Sequence, residues 1–116
     1  MATTLVLMGC GQGHKAESLI KDHIDAHLKN KGLSAVSFSE LDSTGYINRA
    51  LVDKMRRSPE INSLYDVKDG YVDPVGTDKL MFMSVTMSDQ KGKKSKHTFY
   101  LNHDLTGVVC AKVDHY

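Results

Sequence analysis

Seven consecutive residues near the N-terminus, Gly9-Cys10-Gly11-Gln12-Gly13-His14-Lys15, hold the densest chemistry in this chain. A glycine-rich segment that opens a helix leaves backbone N–H groups unpaired within the helix, and those groups attract anions. Glycines at 9, 11 and 13 would let a ligand approach the main chain closely. His14 and Lys15 would add positive charge. Cys10 would sit in the same field, which lowers a thiol pKa and makes a nucleophile. Gly11, Gln12, Gly13, His14 and Lys15 are therefore candidate residues for a small anion, a nucleotide or phosphate, and Cys10 is the candidate catalytic residue. The spacing matches neither GxxxxGK[ST] nor GxGxxG. An ordinary strand-to-helix turn with a small buried cysteine stays open as the alternative.

Other residue sets point elsewhere. His23 and His27 lie at i and i+4, where two imidazoles on one helix face can reach one metal ion. A third ligand would have to come from His97, His103 or Asp104, and no spacing selects among them. HIDAH lacks the glutamate of HExxH, and a pair of half-buried histidines is the simpler reading, so no metal or cofactor is assigned. The stretch QKGKKSKH carries Lys91, Lys93, Lys94 and Lys96 without interleaved aromatics. On a hairpin tip, Lys93 and Lys94 would touch an acidic protein surface, and a nucleic-acid partner is not expected. Tyr65 and Tyr71 are candidate interface anchors, since tyrosine is enriched among residues that dominate binding. Met81, Met83 and Met87 share a face with Val85 and suit either core or an adaptable docking surface.

The piece LMGCGQGHKAESLIKDHIDAHLKNKGLSAVSF resembles the start of the sugar-phosphotransferase IIB subunits. Those carry a phosphorylated cysteine in a CGxG-type loop after the first strand. Cys10, Gly11 and Gly13 match that spacing, which implies a phosphocysteine role for Cys10. His14, Lys15 and Ala16 stand where the family has hydroxyl residues, and the likeness covers about a third of the chain. The same piece with its SFSELD continuation is also similar to the opening of flavodoxin-like reductases. DSTGYINRA resembles a fragment of phage enzymes that degrade S-adenosylmethionine. All three are local likenesses of one common supersecondary unit, and a fold analogy carries no function by itself.

The elements that must position these residues follow from periodicity. Thr4–Met8 is a continuous apolar run that reads as a buried strand. Ala16, Leu19, Ile20, His23, Ile24, His27 and Leu28 keep the i, i+3, i+4, i+7 spacing of an amphipathic helix over Lys15–Lys31, with Gly32 beyond its end. Leu33–Phe38 reads as a second strand, parallel to the first, since a helical crossover joins them. Asp42, Ser43 and Thr44 are N-cap candidates for a second helix that ends before Pro59. Residues 60–78 read as a long loop, with a short strand over Ser63–Val67 as an option. Lys79–Met87, Lys96–Leu101 and Val108–Val113 form a β-meander with glycine-bearing turns. The expected fold class is α+β: an N-terminal β-loop-α-β unit, a second helix, a C-terminal antiparallel β-meander, and a mixed sheet with helices packed on it.

Bulk properties narrow the function class. A length of 116 residues fits one domain, 1–116. Apolar residues at 41% and charged residues at 25% are ordinary globular values, so disorder of the whole chain is not expected. A net charge of +1 gives no long-range pull on polyanions. Two cysteines a hundred residues apart form no secreted disulfide framework, and no basic leader or long apolar span is read, so the expected place is the cytoplasm. The chain shows one suggestive loop and no complete catalytic set. The expected function is a small non-enzymatic protein-binding module of the inhibitor or adaptor type that phages encode. It would use the 60–78 loop and the C-terminal strands on a protein partner. The alternative is an anion-binding protein or enzyme built on the GCGQGHK segment. The oligomeric state stays open.

Overall fold

The computed structural model describes residues 3–29, 31–44, 48–67, 70–73 and 79–114, with the main chain alone for residues 3–10. Its class is α+β, helices packed on an antiparallel sheet, as the pattern of apolar residues leads one to expect. The elements run α1 (Thr3–His27), β1 (Ser34–Phe38), β2 (Asp42–Ser43), α2 (Arg49–Arg56), α3 (Pro59–Leu64), β3 (Met81–Ser88), β4 (Lys94–Leu101) and β5 (Val108–Asp114). Among the described residues, no helix is long and apolar enough to cross a membrane.

The largest departure from the sequence reading is at the N-terminus. Thr4–Met8 is not a strand, and Gly9–Lys15 is not a turn. Both belong to α1, one helix of 25 residues. A run of five apolar residues has no period of its own, and it suits a helix as well as a buried strand. Glycine inside a helix costs only about 1 kcal/mol relative to alanine, which a long helix can absorb. Without a first strand there is no β-α-β crossover, so nothing enforces a parallel pair. The sheet is antiparallel throughout, not mixed: β1 pairs with β3, β3 with β4, and β4 with β5, while β2 pairs with β3 beyond the end of β1.

The second helix also starts later than its sequence signals suggest. Asp42–Ser43 forms β2, opposite Phe82 and Met81. The N-cap is Asn48, whose Oδ1 accepts a hydrogen bond from Leu51 N at 2.8 Å. The helix does end before Pro59, at Arg56, and Pro59 itself occupies the first turn of α3, where its missing N–H costs nothing. Tyr65 then leaves the helix in extended conformation and pairs with Leu28 in an isolated bridge. The rest of the expected 60–78 loop is described only in part, and residues 68–69 and 74–78 lie outside the described residues.

The meander agrees with its sequence pattern to within two residues at each end. The β3–β4 turn is fixed by Asp89, whose Oδ1 accepts from Lys91 N at 2.8 Å and Lys93 N at 2.9 Å. Gly92 supplies the positive φ (+83°) that this tight return demands. The β4–β5 turn is held by Asn102 Oδ1, which accepts from Thr106 N and Gly107 N.

Period-two alternation sends successive strand residues to opposite faces. On one face Met83, Val85, Met87, Phe99, Leu101 and Ala111 meet Ala16, Ile20, Ile24 and Leu28 of α1 and Ile61 of α3. On the other face Tyr100, Val109 and Cys110 meet Val52 of α2. The methionine face is thus the larger core, and the two helical layers enclose the sheet.

Candidate functional site

Among the expected ligand residues, Gly11, Gln12, His14 and Lys15 are exposed and Gly13 is half-buried, all inside α1. Their amides run within the helical ladder and do not open it, so the strand-to-helix corner behind the anion reading is absent. A Cβ built at Gly11 or Gly13 meets nothing within 4 Å, so neither glycine is there for a close approach. The side chain of Cys10 lies outside the described residues.

Tyr65 is only 2% exposed and belongs to the core, where it offers no surface to a partner. Its hydroxyl lies 2.7 Å from His97 Nδ1, and Ser95 Oγ lies 3.1 Å from His97 Nε2. Burial raises the Tyr65 hydroxyl well above its ordinary pKa of 10, so it stays neutral. Tyr71 is half-buried and carries the Arg56 guanidinium over its ring at 5.1 Å. Burial raises its hydroxyl too, helped by Cys110 and opposed by Arg56. Lys93 and Lys94 are exposed at the β3–β4 hairpin, at the opposite end of β3 from Met81. The tyrosines and the lysines therefore do not make one docking surface.

His23 and His27 do share a face of α1, as their spacing implies, with ring centroids 4.7 Å apart. His27 Nδ1 lies 3.1 Å from the carbonyl oxygen of Asp66. His23 packs among the rings of Tyr65, Tyr71 and Phe99. Burial first, and the neighbouring His27 second, pull its imidazole down from 6.5 to about 4. Among the described residues no group of three His, Cys, Asp or Glu side chains is placed to hold a metal ion. His103 pairs with Asp104 at 3.6 Å in the exposed β4–β5 turn, far along the chain from α1.

A concavity lies between α1 and β1. It encloses about 920 Å³. Gln12, His14 and Glu17 form one wall, and Val36 and Phe38 the other. Met81 and Met83 close its base. Lys21 fixes the geometry: its ammonium lies 5.4 Å from the Phe38 ring centroid and 3.6 Å from Glu17 Oε1. The wall contributed by β1 is an edge of the sheet, because among the described residues β1 pairs only with β3. A bulge between Ala35 and Ser37 turns Val36 outward, leaving it 55% exposed. The concavity thus mixes apolar side chains with polar and charged ones of both signs beside the strand edge, and favours no single sign of ligand.

Sequence reasoning put Gln12, Gly13 and His14 at a site and offered Met81 as core or docking surface, but missed Val36, Phe38 and Lys21. The serines of SAVSFS were the available signal. A strand buried in the middle of a parallel sheet reads as continuous apolar residues, and this one does not. Compared with known families, curated proteins and solved structures, the chain matches none.

Proposed function

We propose that this chain is a protein-binding module, of the inhibitor or adaptor type, that takes an extended segment of its partner into the groove between α1 and β1. Main-chain hydrogen bonds along the open edge of β1 supply affinity, and contacts to Val36, Phe38 and Met81 supply selectivity. The observation that carries this reading is the exposed Val36 on a strand edge that no described residue pairs, next to an open concavity with Phe38, Met81 and Met83 in its lining. It replaces the 60–78 loop as the binding element, because Tyr65 is inside the core.

Site-specific photo-crosslinking tests it. A crosslinking residue at Val36 should trap a partner, and the trapped peptide should map to one segment. The same residue at Lys112, exposed on the far edge strand β5, should trap nothing. Val36→Lys should then weaken that partner by about tenfold or more, since an edge lysine opposes strand addition. Equal trapping from both positions, or none from Val36, defeats the reading.

A further inference from the structure

The smaller core covers only part of its face of the sheet. Val52 of α2 packs with Tyr100, Val109 and Cys110, at the end of β4 away from the β3–β4 hairpin. The side chains nearer the hairpin belong to neither core, and strand register decides which of them share this face. Ser84, Thr86 and Ser88 of β3 stand opposite Thr98, Lys96 and Lys94 of β4. On β5, Lys112 stands opposite Thr98 and Asp114 opposite Lys96. Ser37 and Ser34 of β1 lie beside Thr86 and Ser88. The Ser84 and Thr98 hydroxyls are 2.9 Å apart, and Thr98 Oγ1 donates to Asp114 Oδ2 at 3.2 Å, so the polar rows meet across the strands.

Charge on this half of the face is lopsided. Lys94 and Lys112 are exposed and Lys96 is half-buried, and the hairpin adds the exposed Lys91 and Lys93 at one end. The carboxylates beside them are already engaged. Asp89 Oδ1 accepts from the amides of its own turn, and Asp114 accepts from Thr98 and pairs with Lys112 at 3.7 Å. Asp42 lies at the other end of the face, opposite Phe82. A chain with a net charge of only +1 thus gathers these lysines at one end of one sheet face. Read as a stretch, QKGKKSKH offers no case for a nucleic acid. Register adds Lys112 and the rows of hydroxyls, which local sequence keeps apart.

We propose that this half-face binds the phosphate backbone of a nucleic acid without reading its bases. Lysine ammonium groups meet phosphates as point charges, and serine and threonine hydroxyls donate to phosphate oxygens. A protein partner fits the face less well, because protein–protein contacts hold an apolar centre and are depleted in lysine and serine. Interfaces with nucleic acids are more polar and more positive. Base stacking has no platform here, since Phe82 and Tyr100 pack on each other within the smaller core. The groove between α1 and β1 opens on the other side of the sheet, so this site stands or falls independently of the groove.

Fluorescence anisotropy tests it, with a labelled oligothymidylate of about 20 nucleotides and a duplex of about 20 base pairs, each titrated from about 50 to 200 mM salt. Binding of either form in roughly the 1–100 µM range is expected, with log K falling against log salt at a slope of about −3. Lys94→Glu and Lys112→Glu should each weaken it by about fivefold or more and remove about one from the slope. Lys15→Glu makes the same change of charge on α1 and should do neither. Should a strand variant not fold, the wild-type amide signals of Ser84, Thr86, Lys96 and Lys112 should shift on titration with the oligonucleotide, while those of Ile20 and Ile24 stay in place. A salt slope near zero, equal weakening by Lys15→Glu, or shifts confined to α1 overturns the proposal. So does tighter binding of polyglutamate or of phosphatidylserine vesicles than of both oligonucleotides.

Discussion

At the scale of single residues, Arg56 joins two layers. Arg56 donates from Nε to Val109 O at 2.8 Å and from Nη2 to Val72 O at 2.9 Å, and it pairs with Asp73 at 3.1 Å. One guanidinium thus ties α2 to β5 and to the 72–73 segment, a geometry that lysine cannot supply. Arg56 and, after it, Arg49 hold the Asp73 carboxyl below its ordinary value. His23 has the opposite character, since its surroundings oppose its charge. Its folded pKa lies near 4 and its unfolded value near 6.5. The unfolded chain therefore binds more protons between those values, and the stability this group contributes is complete above pH 6.5 and lost as pH falls towards 4. The shift corresponds to about 3 kcal/mol. Urea denaturation at pH 7.5 and pH 4.5 should show that loss in the wild type. His23→Leu should remove most of it, and the difference between the two proteins isolates His23 from the other histidines.

At the scale of elements, α1 decides how the N-terminal third is understood. In a strand-loop-helix unit the glycines at 11 and 13 would be needed, and alanine there would destabilise. In a continuous helix with open space at both positions, alanine removes backbone freedom from the unfolded state and meets nothing in the folded one. Gly11→Ala and Gly13→Ala should each raise stability by roughly 0.5–1 kcal/mol, with helical circular dichroism unchanged or increased. A loss of stability in either variant would restore the turn. The legibility of the other elements follows the strength of their periodicity. β3, β4 and β5 were plain because Lys79–Met87 alternates cleanly and Asp89, Gly92 and Asn102 mark the returns. The half of α1 after Ala16 was plain for the same reason. The half before it was not, since a short apolar run and three glycines imitate a strand and a turn. The groove was illegible because it joins Gln12 to Met81, residues brought together by the packing of α1 across the sheet and by nothing in local sequence.

At the scale of the whole molecule, the two cores differ in size but are not independent. The larger lies under α1 and α3, the smaller under α2, and Cys110 is fully buried in the smaller. Burial raises its thiol from 9.0 to about 12, so it is inert while that layer is closed. The link between the layers is the 72–73 segment, held on one side by Val72 N to Val108 O and on the other by Arg56. Charging His23, which stacks on the Tyr71 ring, should therefore loosen residues 70–73 and with them α2 on the opposite face. This can be read with dithiodipyridine, which reacts with thiols at acid as well as neutral pH, in a Cys10→Ser background that leaves Cys110 as the sole thiol. At pH 7 labelling should require the rare opening of the α2 layer and be slow. At pH 4.5 it should accelerate by at least the factor seen for an unstructured thiol peptide multiplied by about ten, ahead of any loss of sheet signal. Arg56→Met should speed labelling at both pH values and shrink the difference between them, because the bridge that transmits the release is already cut. If Cys110 labels at the same relative rate at both pH values, the layers open separately and the coupling through Arg56 is absent.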